Sequence, residues 1–129
     1  MQIDELKQKY AANERDFSEI DLGGADLTGV DLSGINLSKA NLSMAMLTEA
    51  NLSEANLREA NLIGANLDRA NMTAANLSGA NLNSADVHEA NLTRADLSQS
   101  NLSWAIFRGS NLTDTNLTGA DLDGTKLPD

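Results

Sequence analysis

The chain has 129 residues, with no cysteine, one histidine and one proline, and its acidic residues outnumber the basic ones 19 to 9. Without cysteine there is no disulfide, no thiolate nucleophile and no thiolate metal site, and a reducing compartment is favoured. The lone His88 lacks a second imidazole or a thiolate to complete a metal site or an acid–base pair, so the sequence assigns it a solvated contact between Asp68 and Arg108. No phosphate-cradling glycine loop leads into a helix. The stretch from Met1 to Tyr10 carries Asp4, Glu5, Lys7 and Lys9 and holds no apolar run long enough for a secretion signal or a membrane span. A soluble, cytoplasmic protein is therefore expected. The net charge of −10 disfavours direct binding to nucleic acid or to an anionic membrane.

What the sequence does have is a five-residue period. From Phe17 to Leu127 a large apolar residue falls at 23 consecutive positions spaced by five, 19 of them Leu and the others Phe17, Met72, Val87 and Phe107. The residue two before is Ala at 15 of the 23, and the residue just before is Asn or Asp at 20, so the unit reads A-[ND]-L-x-x, as in Ala50-Asn51-Leu52. A period of five matches neither a helix nor a long strand, so each unit must form one short extended side and then turn. Alternate residues of an extended segment share a face. Leu and the Ala two before it thus point inward, and Asn or Asp and the two variable residues face water. Eight of the nine Gly residues fall at the second position after the central residue, where a type II turn needs positive φ.

Charge reads out how many sides complete a coil. With four sides, residues twenty apart lie about 4.8 Å from one another, and like charges should be absent from that spacing. Spacing twenty pairs Glu19 with Lys39, Lys39 with Glu59, Glu49 with Arg69, Arg69 with Glu89 and Arg94 with Asp114, all opposite in sign, with no like pair. Spacing fifteen, the three-sided alternative, sets Asp16 against Asp31 and Asp114 against Asp129. No two of the Asp residues preceding a central residue are twenty apart, as expected if Asn amides hydrogen-bond along a ladder that stacked carboxylates would break.

The A-[ND]-L-x-x array resembles the pentapeptide-repeat proteins, over residues 15 to 129. The resemblance implies an all-β solenoid, a right-handed quadrilateral β-helix, here of about six coils, and the lead-in from Leu6 to Phe17 is similar to that of cyanobacterial members. The resemblance supplies no activity, since most members have none assigned. Some members protect DNA gyrase by imitating duplex DNA with an acidic rod. Here the outward charges of the repeat sum to −2, −3, −3 and −2 on the four sides, without an acidic stripe. A DNA mimic acting on gyrase or another type II topoisomerase is accordingly the alternative. The principal reading is a non-catalytic rigid scaffold or protein-interaction module with an unknown protein partner, no cofactor and no metal.

Two segments divide the chain: residues 1–14, a capping helix, and residues 15–129, the β-helix. Helical character is expected over residues 3 to 14, where Ile3, Leu6 and Tyr10 recur at helical spacing. That helix would lie across Leu22, Leu27 and Leu32 and cover the first coil's unpaired backbone. At the other end Leu112, Leu117, Leu122 and Leu127 form a candidate association surface, so a monomer or a weak dimer through that end is expected. Ser100, Ser110, Thr115 and Thr125 replace inward Ala there, with hydroxyls able to bond the local backbone.

Met46, Ile106 and Lys126 stand where the repeat has Asn or Asp, all on one side. Met44 and Met46 flank the same corner as Trp104 and Ile106, three coils further on, with Ile63 on the adjoining side. These five residues form a candidate interaction patch, because outward apolar residues that cluster mark contact surfaces.

Overall fold

The computed structural model describes residues 1–128; Asp129, the last position of the second segment, lies outside the described residues. The chain opens with helix α1 (Ile3–Ala11) and then winds as a right-handed quadrilateral β-helix. Parallel bridges join Asp16 to Asn36, Asp21 to Asn41, and so on at every fifth residue up to Ile106 with Lys126. Each bridge spans twenty residues, so four five-residue sides close one coil. Three backbone bonds per unit knit neighbouring coils: around Leu42, the Asn41 N–H donates to Ile20 O at 2.8 Å, Leu42 N–H to Asn61 O at 2.7 Å and Met44 N–H to Ile63 O at 2.9 Å. The sides are too short for strands in the ordinary sense, and the ladder exists only between coils.

The corners are four-residue turns closed by a bond such as Ala45 N–H to Leu42 O, 3.0 Å, at the units from Phe17 to Leu122 other than that of Val87. At all 22 corners from Glu19 to Gly124 the third turn residue has positive φ, from 55° to 73°, which is the type II signature. Only eight of these are Gly; the others include Glu, Lys, Met, Arg, Ser, Gln and Trp. None is Val, Ile or Thr, because branching at Cβ makes the left-handed region hardest to occupy.

The outward Asn and Asp serve these turns. Oδ1 of Asn36, for example, accepts the N–H of Ser38 at 3.0 Å, and the same bond recurs at Asn51, Asn76, Asp96 and most other units. An Asx turn of this kind satisfies the one N–H per corner that neither the turn nor the next coil uses. The expected amide ladder is therefore corrected: Oδ1 turns to its own corner, and no Asn amide at this position donates to an Asn of the neighbouring coil among the described residues. Cross-coil side-chain bonds from this position are confined to Asn36 with Asp16 and Asn41 with Asp21, among the described residues. Of the five charge pairs at spacing twenty, Glu49 and Arg69 close, at 3.5 Å, while exposed pairs in water gain too little to hold two long side chains together.

The interior is a column of stacked Leu with Ala at the inner corners. Leu27 through Leu102 are wholly buried, as are Met72, Val87 and Phe107, and Leu52, Met72 and Leu92 stand in one ladder. Burying each Leu contributes roughly 2 kcal/mol. Helix α1 closes the first coil with Leu6, which is fully buried, and with Ile3 and Tyr10 packed at the core's edge. The Tyr10 hydroxyl donates to Ser33 O at 2.6 Å, and the Arg15 guanidinium sits 3.7 Å over the Tyr10 ring. The helix ends at Ala11, earlier than the expected residue 14. Asn13 takes φ of 71°, and the bonds Asn13 N–H to Tyr10 O and Glu14 N–H to Lys9 O complete a Schellman stop.

Candidate interaction surface

The exposed large apolar side chains are few and grouped. Apart from Met1, and Leu122 and Leu127 of the last coil, they are Met44, Met46, Ile63 and Trp104, among the described residues. Met44 and Trp104 are each 65 % exposed. Ile106 is half-buried. Because the coils are in register, Met44 and Trp104 share a column three coils apart, about 14 Å at the coil spacing. Ile63 adjoins Met44, whose N–H bonds to the Ile63 carbonyl. The five predicted patch residues thus make two apolar knobs, Met44 with Met46 and Ile63, and Trp104 with Ile106.

Glycine lets the large residues lie flat. Met44 and Trp104 occupy turn positions at φ of 58° and 62°, and each leans over the glycine twenty residues on, Gly64 and Gly124. A methyl group at Gly124 would come within 2.5 Å of the Trp104 ring at Cε3, so the missing side chain is the space the indole uses. A methyl at Gly64 would meet the Met44 sulfur. Between the knobs lie Asn66, Ser84 and Asp86.

Asp86 belongs to a polar cluster that the sequence reading saw only in part. His88 meets Asp68 as expected, Nδ1 to Oδ1 at 3.3 Å, but Asp86 also contacts the same Nδ1, and no ion pair joins Asp68, Asp86 or His88 to Arg108. Asp86 and His88 are local neighbours, while Asp68 comes from the coil before. Its Oδ1 accepts the His88 N–H at 3.0 Å. The two carboxylates compete: burial and the adjoining Asp86 raise the Asp68 pKa, whereas hydrogen bonds from Asp68 and His88 outweigh burial and lower that of Asp86. The hydrogen bond to Asp86 raises the pKa of His88 above its usual 6.5. The missed signal was the pair Asp86 and His88 two residues apart.

At the far end the core loosens. Leu112 and Leu117 are half-buried, and Leu122 and Leu127 are 39 % and 42 % exposed. The substituted hydroxyls are bonded: Ser100 Oγ to Leu97 O and Ser110 Oγ to Phe107 O, both 2.6 Å, with Thr115 and Thr125 reaching Leu92 O and Leu102 O of preceding coils.

A filled solenoid with a polar outer face and one apolar corner defines a repeat protein of the β-helical class. The chain belongs to the pentapeptide-repeat family, whose profile, described as pentapeptide repeats with eight copies, matches residues 16–53, 50–88 and 90–128. A crystal structure of a pentapeptide repeat protein from the cyanobacterium Cyanothece 51142 superposes with a TM-score of 0.88 at 30% identity, covering 95% of this chain and 99% of that one. A pentapeptide repeat protein of the Arabidopsis thaliana thylakoid lumen is 36% identical, with a TM-score of 0.55, over 78% of this chain and 67% of that one. No curated protein sequence matches significantly.

Proposed function

We propose that this pentapeptide-repeat protein is a non-catalytic, rigid interaction module that docks a protein partner across the corner carrying Met44, Met46, Ile63, Trp104 and Ile106. The observation that carries the reading is that, among the described residues and apart from Met1, the exposed large apolar side chains are confined to that corner and the last coil. Trp and Met are favoured where surfaces meet, and contacts of this type concentrate binding energy in a few large side chains. Rigidity supports the same role. The knobs stand on a backbone hydrogen-bonded coil to coil, so their separation is set before a partner arrives and little ordering is required on binding. The Asp68, Asp86 and His88 side chains are open to solvent, whereas acid–base catalysis calls for shielded groups in a concave site.

The test is capture from the source cell with the wild-type chain and with a double variant, Met44→Glu and Trp104→Glu. Both positions are exposed turn positions where Glu already occurs elsewhere in the repeat, so the fold is preserved. A partner retained by the wild type and lost with the double variant supports the reading; a partner held equally by both places the contact elsewhere.

A further inference from the structure

We propose that Asp68, Asp86 and His88 form a surface site for a divalent first-row metal ion of the Zn2+ type, clipping two neighbouring coils together. One donor atom from each of the three lies within 4.8 Å of the other two. The donors are of two kinds, carboxylate oxygens and the imidazole Nδ1, and they come from both coils, Asp68 from one and Asp86 with His88 from the next. An ion with bonds of about 2.0–2.2 Å sets its ligand atoms about 3 Å apart. The 3.3 Å between Asp68 Oδ1 and His88 Nδ1 already fits that span. Asp86 needs to swing outward only far enough to replace its direct hydrogen bond to Nδ1 with a shared ion. Nδ1 gives up its proton to solvent in the same step, as metal binding to imidazole requires.

Two further features single out this cluster. At spacing twenty, opposite charges or none are set against each other between coils, whereas here two carboxylates eighteen residues apart meet at one imidazole. No Lys or Arg compensates them: Arg69 turns to Glu49, and among the described residues the ion pairs of Asp68 and Asp86 are with His88 alone. The cluster keeps an excess negative charge even with a protonated imidazole, and a divalent ion removes it. In addition, the His88 N–H is not held by the Asp two residues before it, as at most corners, but by Asp68 across the coil boundary. Asp86 is thereby free to face the ring. The side chains are 22 %, 41 % and 39 % exposed for Asp68, Asp86 and His88, so an ion enters without opening a coil and completes its shell with water. A nitrogen donor alongside two carboxylates favours Zn2+ and its neighbours over Mg2+ or Ca2+.

The experiment is calorimetric titration of the chelator-stripped full chain with Zn2+, in parallel with NMR of the imidazole ring, which is unambiguous because the chain has one histidine. Mg2+ serves as the comparator. The variants are Asp68→Ser, Asp86→Asn and His88→Ser, each of which installs a residue the repeat uses at that position in other units and so keeps the coil intact. Expected are one equivalent of Zn2+ bound, ring resonances that shift in step with occupancy, a higher melting temperature with Zn2+, and no comparable response to Mg2+. Each variant should weaken binding about tenfold or more, since even the outer partners of metal ligands cost that much. Absence of saturable Zn2+ binding in the wild type, or Zn2+ affinity unchanged in Asp86→Asn and His88→Ser, overturns the proposal.

Discussion

Ala60-Asn61-Leu62 and Ala120-Asp121-Leu122 are nearly the same unit of sequence, and their leucines stand in one ladder three coils apart, yet they should respond very differently to truncation. Leu62 is wholly buried between Leu42 and Leu82, whereas Leu122 is 39 % exposed. Leu62→Ala removes the transfer energy of the lost methyl groups and leaves a cavity that coils on both sides, hydrogen-bonded in register, cannot collapse to fill. A cost of about 3 kcal/mol follows, within the usual range for buried leucine. Leu122→Ala forfeits part of the transfer term and opens no closed cavity, so about 1 kcal/mol or less is expected. For a chain of this size 1 kcal/mol moves the melting temperature by about 3–5 °C. Leu62→Ala should therefore melt about 10–15 °C below the wild type and Leu122→Ala only a few degrees below, by scanning calorimetry or far-ultraviolet circular dichroism. Leu62→Asp goes further, because a charge with no partner enters a dry interior, and it should not fold. Equal losses for the two alanine variants, or an Asp variant with wild-type stability, would refute the assignment of the central residue to a continuous core that thins at its last coil.

Three other outcomes are expected. Trp104 fluorescence should be red-shifted and readily quenched in the isolated protein and should move to the blue when the captured partner is added; a blue-shifted indole in the free protein would make Trp104 a packing residue. The Asp16 carboxylate accepts the Ser18 hydroxyl at 2.8 Å and the Ser18 N–H at 3.1 Å, bonds that lower its pKa below the 3.8 of the free side chain. Its contribution to stability is then complete above pH 3.8 and lost as the pH falls through the lower folded value, so NMR should give a midpoint under 3.8, and a midpoint at or above it contradicts the Asx-turn assignment. Sedimentation over a concentration series should show a monomer or a weak dimer whose association is abolished by Leu122→Lys; a tight dimer that survives this substitution would move the contact away from Leu112, Leu117, Leu122 and Leu127.

The repeat determined the architecture from within the sequence. A five-residue period with Ala and Leu on one face lets the chain bury its leucines in a coil, and opposite charges at spacing twenty record which positions stand opposite one another in adjacent coils, because a separation of about 4.8 Å penalises like signs. The apolar corner was legible for the same reason: Met44, Met46, Trp104 and Ile106 break a strict pattern, and the period places them in neighbouring columns. Side-chain direction was not legible. A column map pairs residues twenty apart and so joined His88 to Asp68, but it said nothing of Asp86, which reaches the same nitrogen because its own corner N–H is served from the preceding coil. The use of the Asn oxygen was hidden likewise, since a ladder and an Asx turn demand the same residue and differ only in where its χ angles point it. The open flank of Leu112, Leu117, Leu122 and Leu127 was legible as the end of the repeat, and the tertiary structure added how far each is exposed, because the number of coils packed against a unit is a property of its place in the stack.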